Sequence, residues 1–145
     1  MLISGRWLLC DDDIIRPIIE ATVLAANGVW LPVEFLADVG ADRTVFAAPL
    51  LAALALPAMP APQPLGGVGG AVATVCIDTQ IRLPRHDGGA VLFQGRFAAF
   101  TDPESLDMSV LGRDISNLFA VIVDRPGDVV CLLGQRHKYT ISESS

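Results

Sequence analysis

The chain has 145 residues, which suits a single domain, and 52% of them are hydrophobic, enough to build a sizeable core. Its net charge is −6 at pH 7 and it has no general basic footprint, so we expect no nucleic acid among its partners. The 13 glycines and 10 prolines predict many turns, and the short strand-like runs between them indicate a mostly β protein.

The cysteines and the apolar segments bear on the compartment. Cys10, Cys76 and Cys131 are an odd number without a close pair, which argues against a disulfide framework and against a zinc site. We therefore expect free thiols in a reducing, cytoplasmic compartment. The short apolar run at the N-terminus meets three aspartates, so it is not a convincing signal peptide. The longest nearly uncharged stretch is broken by prolines, and we predict no transmembrane helix.

The first half of the chain predicts strands joined by turns. Residues 1–10 favour an edge strand, and residues 11–13, all aspartates, are most simply a solvated turn without identifiable metal ligands nearby. Residues 14–25 are rich in β-branched side chains and predict a half-buried strand. Asn27-Gly28 is the clearest hairpin signal, because both residues tolerate positive φ, and residues 29–37 are predicted to return as the partner strand.

That returning strand ends in Asp38, a single carboxylate at the end of a mostly apolar run, and the chain turns at once on Gly40. An ionised carboxylate removed from water without a partner is very costly. Our hypothesis is that its partner is the same residue of a second chain. Two carboxylates in contact share one proton, which is the arrangement that an aspartic protease uses.

Residues 48–56 are the one helical candidate in this region. Pro49 suits a first helical position, the leucines that follow form one apolar face, and Pro57 is predicted to end the helix. Packing is the simplest role for such a helix. Residues 59–64 then predict an extended segment of prolines and alanines.

A cluster of four glycines around one valine follows. Its residues are Gly66, Gly67, Val68, Gly69 and Gly70. The cluster predicts a pliable hairpin tip. A phosphate-binding loop is disfavoured, because neither a helix start nor a Lys or Ser/Thr follows at the required spacing. A structural turn and a mobile flap that closes over a ligand both remain open.

The second half of the chain alternates apolar runs with polar turns. The predicted strands are residues 72–83, 90–100, 121–123, 129–133 and 136–139. A second Asp-x-Gly begins at Asp87, but it follows Arg85-His86 rather than an apolar strand, so we interpret it as a solvated loop tip. Residues 108–115 predict a strand that turns into a short helix over residues 116–119.

Three of these segments, in this order, resemble the motifs of one family. They are Asp38-Val39-Gly40-Ala41-Asp42, the glycine cluster, and Val110-Leu111-Gly112-Arg113-Asp114. They resemble the catalytic loop, the flap tip and the segment beneath the active site of the retropepsins, the single-domain homodimeric aspartic proteases of retroviruses, and of their cellular and bacterial relatives. The match spans about residues 16–119. We predict one domain over residues 1–145, with residues 120–143 as an additional C-terminal hairpin.

The resemblance implies a fold and an activity. The fold would be the mostly β, single-domain acid-protease fold, with a flap hairpin and one or two short helices, pairing as a homodimer. The activity would be that of an aspartic endopeptidase that needs no metal and no cofactor. Asp38 and its symmetry mate would form the catalytic pair, in which the ionised carboxylate activates a water and the protonated one hydrogen-bonds the scissile carbonyl. Such a pair titrates with split apparent pKa values.

The resemblance also implies roles for neighbouring residues. Gly40, Ala41 and Asp42 would contact the substrate backbone, together with the five residues of the glycine cluster as the flap. The substrate would be an extended peptide or protein segment, bound like an added strand. Arg113 would pair with Asp42. The residues that would support the site are Val39, Val110, Leu111, Gly112 and Arg113.

Val39 departs from the family pattern, which has Thr or Ser at this position. That hydroxyl hydrogen-bonds the opposite chain's backbone across the dimer axis, and valine has nearly the same shape without a donor or acceptor. Each lost bond is worth about 0.5–1.5 kcal/mol. Two functional hypotheses therefore stand: an active homodimeric endopeptidase, and a weakly active or non-catalytic peptide-binding module on the same fold.

Overall fold

A computed structural model of the chain describes residues 1–62, 65–67 and 70–143, and for residues 65–67 and 70–72 it describes the backbone alone. The described part contains twelve strands and two short helices, so the predicted mostly β fold is confirmed. The strands are β1 (Leu2–Leu9), β2 (Ile15–Leu24), β3 (Trp30–Ala37), β4 (Val45–Phe46), β5 (Met59–Pro60), β6 (Leu65–Gly67), β7 (Gly70–Val72), β8 (Thr74–Pro84), β9 (Ala90–Phe100), β10 (Val110–Leu111), β11 (Ala120–Asp124) and β12 (Val129–Leu133). The helices are α1 (Ala48–Leu54) and α2 (Arg113–Ser116).

Ten of the strands form one sheet in the order β11-β12-β1-β2-β3-β10-β4-β9-β8-β5. A further pairing joins β2 to β8, where Val23 lies opposite Ile81, so the strands from β2 through β8 in that order close into a ring. Within the ring, the pairs β3–β10 and β4–β9 are parallel, and the other neighbours are antiparallel. The strands β6 and β7 pair with each other as a separate ribbon.

The main hydrophobic core is formed by ring strands together with β1 and β12. Phe35 and Phe46 are fully buried, and their ring centroids lie 6.0 Å apart. Phe46 also contacts Phe97, with a distance of 5.7 Å between the two centroids. Aromatic pairs at such distances stabilise a core beyond the area that they bury. Because these rings come from β3, β4 and β9, they fix the strand that leads into Asp38 against the strand that leaves its loop.

The hairpin between β2 and β3 forms where Asn27-Gly28 predicts it. The Val29 amide donates to the side-chain oxygen of Asn27 at 3.0 Å, and the Ala25 amide donates to the carbonyl of Val29 at 2.8 Å. Within this turn, only Gly28 has a positive φ, of 83°. The turn therefore needs one left-handed residue rather than two, and glycine supplies it without steric cost.

Other element predictions are confirmed, with one part outside the described residues. Residues 72–83 and 90–100 correspond to β8 and β9, and the acidic turn at residues 11–13 is exposed. The helix starts with proline in its first turn and buries Leu54. Of the predicted extended segment at residues 59–64, the first two residues form β5, while residues 63 and 64 lie outside the described part.

Four element predictions are wrong in detail. Residues 1–10 do not form a simple edge strand, because residues 2–4 pair with β12 and residues 5–9 pair with β2. The second helix begins at Arg113 rather than over residues 116–119, since Gly112 already forms its extended N-cap. The first helix ends at Ala55, in the left-handed region with φ 52°, two residues before the proline predicted to stop it. Residues 136–139 form no strand, although β11 and β12 form the hairpin predicted before them.

Neither helix in the described residues has the length and apolar composition needed to cross a membrane.

Candidate active site

Asp38 directly follows β3, and hydrogen bonds hold both its backbone and its side chain in place. Its amide donates to the carbonyl of Leu111 at 3.2 Å, and its carbonyl accepts from the Ala41 amide at 3.2 Å. Its Oδ1 accepts a hydrogen bond from the Gly40 amide at 2.9 Å. Among the described residues no cation pairs with this half-buried carboxylate, so its second oxygen is available for another partner.

Strand β10 lies between the strands before and after the Asp38 loop. Val110 is paired with Leu36 of β3 and with Val45 of β4, and Leu111 is paired with Ala37. Both β10 residues are buried. The two apolar residues predicted to support the site therefore hold the loop at both of its ends.

Gly112 follows β10 at a point where the chain crosses the Asp38 loop closely. A Cβ atom at this position would lie 2.2 Å from the carbonyl carbon of Arg43 and 2.7 Å from the amide nitrogen of Thr44. The Gly112 amide donates to the hydroxyl of Thr44 at 3.1 Å. Glycine is required here by the approach of two backbones, since its own φ of −91° is open to any residue.

Arg113, the first residue of α2, joins the helix to the loop by three contacts. Its amide donates to the carbonyl of Ala41 at 2.8 Å, and its Nη1 donates to the carbonyl of Val39 at 2.9 Å. Its Nη2 pairs with the carboxylate of Asp42. The structure thus brings together Arg113 and Asp42, the pair that the sequence motifs predict.

Thr44 and Asp114 form a contact to which the sequence assigned no role. Oδ1 of Asp114 accepts from the Thr44 amide at 2.9 Å, from the Thr44 hydroxyl at 2.8 Å and from the Ile115 amide at 3.0 Å. Thr44 is fully buried, so these bonds satisfy polar groups that water does not reach. An acidic residue in the first turn of a helix is the only local signal that pointed to Asp114.

A small apolar cluster also backs the loop. It consists of Val45, Ala98, Phe100 and Val110, with Leu36, Ala41 and Leu106 packed against it. Phe100 and Leu106 had no predicted site role. Because this cluster contacts Ala41 from beneath, it limits how far the loop moves relative to β9 and β10.

The glycine cluster is described only in part. Gly67 pairs with Gly70 and Gly66 with Ala71, so β6 and β7 run antiparallel as a ribbon apart from the ten-stranded sheet. The hairpin predicted for this segment therefore has paired strands. Val68 and Gly69 lie outside the described residues.

Loop residues next to Asp38 present an open surface in the single chain. Val39 is 56% exposed, and Gly40 and Asp42 are also exposed. The carboxylate therefore lies beside an exposed part of the chain surface. Across the described residues, no group of three or more His, Cys, Asp or Glu side chains is arranged to hold a metal ion.

Comparison with known proteins gives matches among solved structures. No protein-family model and no curated protein matches the chain. EIAV protease, solved with a bound inhibitor, matches with a TM-score of 0.54 and 25% identity over 70% of this chain and 86% of that chain. A retropepsin-like aspartic protease from Rickettsia conorii matches with a TM-score of 0.56 and 17% identity over 91% of this chain and 88% of that chain. The chain therefore has the fold of the retropepsin-like aspartic proteases, and its predicted resemblance to this family is confirmed.

Proposed function

We propose that the chain is a homodimeric aspartic endopeptidase, which hydrolyses peptide bonds with a water activated between two symmetry-related Asp38 carboxylates. The observation that carries the proposal is the position of Asp38. On a retropepsin-like fold, a single half-buried carboxylate follows β3 in a loop held by Leu111 and Arg113, with no cation paired to it among the described residues. One chain supplies one such carboxylate, so a second copy completes the pair.

The hydrogen bond from the Gly40 amide distinguishes the two side-chain oxygens of Asp38. It occupies Oδ1 of Asp38 and leaves Oδ2 for the partner's carboxylate and the water. Two carboxylates in contact do not both ionise, because their charges repel, so the pair holds one proton. The ionised member takes a proton from the attacking water, while the protonated member donates a hydrogen bond to the scissile carbonyl oxygen. The carboxyl that took the water's proton then gives a proton to the amide nitrogen, the C–N bond breaks, and the products leave as a carboxylic acid and an amine.

The substrate we propose is an extended peptide or protein segment. Gly40 and Asp42 are exposed beside the carboxylate and Ala41 between them is half-buried, so a peptide backbone has access to this segment. The β6–β7 ribbon is separate from the main sheet, which supports its assignment as a flap over the peptide. Hydrogen bonds to the substrate main chain would then supply affinity, as in other strand-addition complexes.

A second candidate function is a weakly active or non-catalytic dimeric peptide-binding module. Val39 favours it, because an exposed valine offers no hydrogen bond across a dimer axis. The test between the two functions is cleavage of a peptide library between acidic and neutral pH, with solution mass measured on the same sample. Cleavage that disappears in the Asp38→Asn variant supports the protease, and a dimer that cleaves nothing supports the module.

Replacing Val39 with Thr is expected to tighten the dimer. The side chain is 56% exposed in one chain, so the nearly isosteric change should leave the monomer fold intact. Two symmetric hydrogen bonds of about 0.5–1.5 kcal/mol each would lower the dissociation constant by roughly 5- to 150-fold. Sedimentation velocity measures this constant. Val29→Thr, at a 50% exposed turn position, is the matched control, and equal constants for both variants and the wild type would refute the prediction.

Replacing Arg113 with Lys is expected to lower kcat/KM by about tenfold with little loss of stability. A lysine places one ammonium where Arg113 bonds both the Val39 carbonyl and the Asp42 carboxylate, so the loop loses one of these two side-chain contacts. The ion pair is exposed, and exposed pairs contribute about 0–1 kcal/mol to folding. Peptide kinetics and thermal melting measure both quantities. Arg96→Lys, which alters only an exposed pair with Asp78, serves as the control, and equal kinetics for the two variants would contradict the assigned role.

A further inference from the structure

Most arginines in the described part of the chain have a partner within the chain. Six of them form ion pairs with carboxylates: Arg6, Arg16, Arg85, Arg96, Arg113 and Arg125. Another, Arg82, lies over the ring of Trp30, with its guanidinium carbon 4.4 Å from the ring centroid. Such pairing is expected in a chain with 16 acidic and 10 basic residues, because opposite charges attract and carboxylates are in excess.

Arg43, which lies in the Asp38 loop, does not follow this pattern. Its side chain is exposed, and within the described part of the chain it forms no hydrogen bond, ion pair or ring contact. The neighbouring carboxylate of Asp42 does not neutralise it, because that carboxylate pairs with Arg113. The guanidinium group of Arg43 is therefore available to a ligand that carries a negative charge.

The backbone of Arg43, in contrast to its side chain, is held closely. Gly112 lies directly against it, since a Cβ atom at Gly112 would be 2.2 Å from the carbonyl carbon of Arg43. The next residue, Thr44, is fully buried, and its hydroxyl donates to Asp114 at 2.8 Å. A charged group on a fixed backbone is presented at a defined place, which reduces the entropy that is lost when it binds a ligand.

Arg43 is also close to Asp38. The Ala41 amide donates to the Asp38 carbonyl at 3.2 Å. Residues 38–41 therefore form a tight turn, whose first and last Cα atoms lie within about 7 Å. Two further residues span at most about 7 Å, so the Cα atoms of Asp38 and Arg43 are within about 14 Å of each other. An extended peptide covers this distance with about four residues.

We propose that Arg43 selects substrates that carry an aspartate or glutamate side chain within about four residues of the scissile bond. This inference rests on the proposed peptidase function and names the substrate class of that site. A guanidinium group presents two parallel N–H donors, which match the two oxygens of a carboxylate. Because the proposed enzyme is a twofold dimer, one Arg43 lies on each side of the scissile bond, and an acidic side chain is favoured on either side.

The net charge of the chain opposes this preference rather than producing it. Each chain carries a charge of −6, so its long-range field repels acidic peptides. At 0.15 M salt this field is screened beyond about 8 Å, whereas a carboxylate bound to a guanidinium group is much closer than that. A preference for acidic peptides at this salt concentration would therefore have to come from a cation at the site itself.

Matched peptide sets measure the preference. Two sets have blocked termini and the same apolar centre, and they differ only in carrying glutamate or glutamine at the positions that flank it. Blocking the termini makes the side-chain carboxylates the only ones in the peptide, so a preference for a free C-terminus is not mistaken for acid selection. At 0.15 M salt, the wild type is expected to cleave the glutamate set with a kcat/KM about 3- to 10-fold higher than that of the glutamine set.

Replacing Arg43 tests whether this residue causes the preference. Arg43→Gln is expected to cleave the two sets with equal kcat/KM, and Arg43→Glu is expected to prefer a third set that carries lysine at the same positions. Each comparison is made within one protein, so a change in stability or in the amount of active dimer cancels. A purely structural role of Arg43 would not reverse the charge preference.

The matched control is Arg85→Gln. It removes the same charge from an exposed ion pair with Asp87, in the turn between β8 and β9, and it should keep the wild-type preference. A wild type that cleaves the glutamate and glutamine sets equally would overturn the inference. A preference that persists in Arg43→Gln, or that Arg85→Gln removes to the same extent, would overturn it as well.

Peptide binding to the Asp38→Asn protein distinguishes failure of this inference from failure of the proposed function. Calorimetry with the same peptide sets measures acid selection without cleavage. A wild type that cleaves without preferring glutamate would overturn the role of Arg43 and leave the protease intact. If the wild type cleaves nothing, but the Asp38→Asn protein binds the glutamate set more tightly and loses this difference when Arg43→Gln is added, acid selection is supported and the protease is rejected. A protein that neither binds nor cleaves any of the sets would reject both.

Discussion

Replacing Asp38 with Asn is expected to abolish peptide cleavage while leaving the fold and the dimer in place. The asparagine side-chain oxygen still accepts the hydrogen bond that the Gly40 amide donates to Oδ1, so the loop keeps its conformation. The amide has no acidic proton to share and no negative charge with which to activate water. Positioned acid and base groups contribute about 10²- to 10⁴-fold to rate, and a loss of this size takes cleavage to the detection limit. Cleavage of a fluorogenic peptide library measures the effect.

The matched control for this change is Asp87→Asn. Asp87 lies in a solvated loop and bonds only to its neighbours Arg85 and Gly89, so the variant should cleave at the wild-type rate. Cleavage by the Asp38→Asn protein would contradict the assignment of Asp38 to the catalytic pair. If neither the wild type nor the variant cleaves, and both are verified dimers, the peptide-binding module is favoured.

A mixing experiment tests whether the two carboxylates act as one unit. If each active site needs Asp38 from both chains, the Asp38→Asn subunit acts as an inhibitor by forming mixed dimers. With random exchange, one equivalent of the variant added to a fixed amount of wild type is expected to lower activity to about one half, and nine equivalents to about one tenth. Activity that is independent of the added variant, under conditions where subunits exchange, would show that each chain works alone.

Local sequence signals were sufficient for the parts of the fold that depend on neighbouring residues. The turn at Gly28 is determined by one left-handed glycine, and the strands on either side of it follow from their apolar pattern. The Asp38 loop was recognisable because a carboxylate, a turn glycine and a second carboxylate follow each other closely. The strand predicted at residues 136–139 failed because a strand needs a partner as well as suitable residues, and in the described structure none is paired with it.

The sequence did not predict the contacts between residues that lie far apart along the chain. Thr44 and Asp114 are 70 positions apart in the sequence, and the residues beside each of them do not predict that the two side chains meet. The pairing of β12 with residues 2–4 of β1 joins segments that are more than 120 positions apart, and it gives the start of the strand predicted as an edge a partner. Such pairings depend on which surfaces meet after folding, and a periodic pattern in one segment gives no information about its partner.

These distant contacts explain why the site depends on the segment beneath it. The Asp38 loop is held in place by its pairing with β10, by the Arg113 contacts and by the hydrogen bonds between Thr44 and Asp114. A catalytic group must be held within about 0.5 Å of its working position, and the loop residues alone do not provide this. The two chains of a dimer would therefore align their carboxylates only as well as this segment fixes each loop.

Replacing Gly112 with Ala tests that dependence and is expected to destabilise the protein strongly. The new Cβ would lie 2.2 and 2.4 Å from the carbonyl carbon and oxygen of Arg43 and 2.7 Å from the amide nitrogen of Thr44. All three are backbone atoms, so no side-chain rotation relieves the contact, and the two segments must move apart. Overpacking of this kind costs about 1–3 kcal/mol, which lowers the melting temperature of a chain of this length by roughly 3–10 °C.

The same movement should lower activity beyond the loss of folded protein. The Gly112 amide donates to the Thr44 hydroxyl, which in turn donates to Asp114, so displacing Gly112 loosens the attachment of the loop to α2. Thermal melting and kcat/KM per folded molecule, measured well below the melting temperature, separate the two effects. Gly95→Ala is the control, because a Cβ at Gly95 meets nothing within 4 Å, and it should melt and cleave like the wild type. A Gly112→Ala protein that melts with the Gly95→Ala control and cleaves at the same rate would show that the close approach of the two backbones is not what holds Asp38 in position.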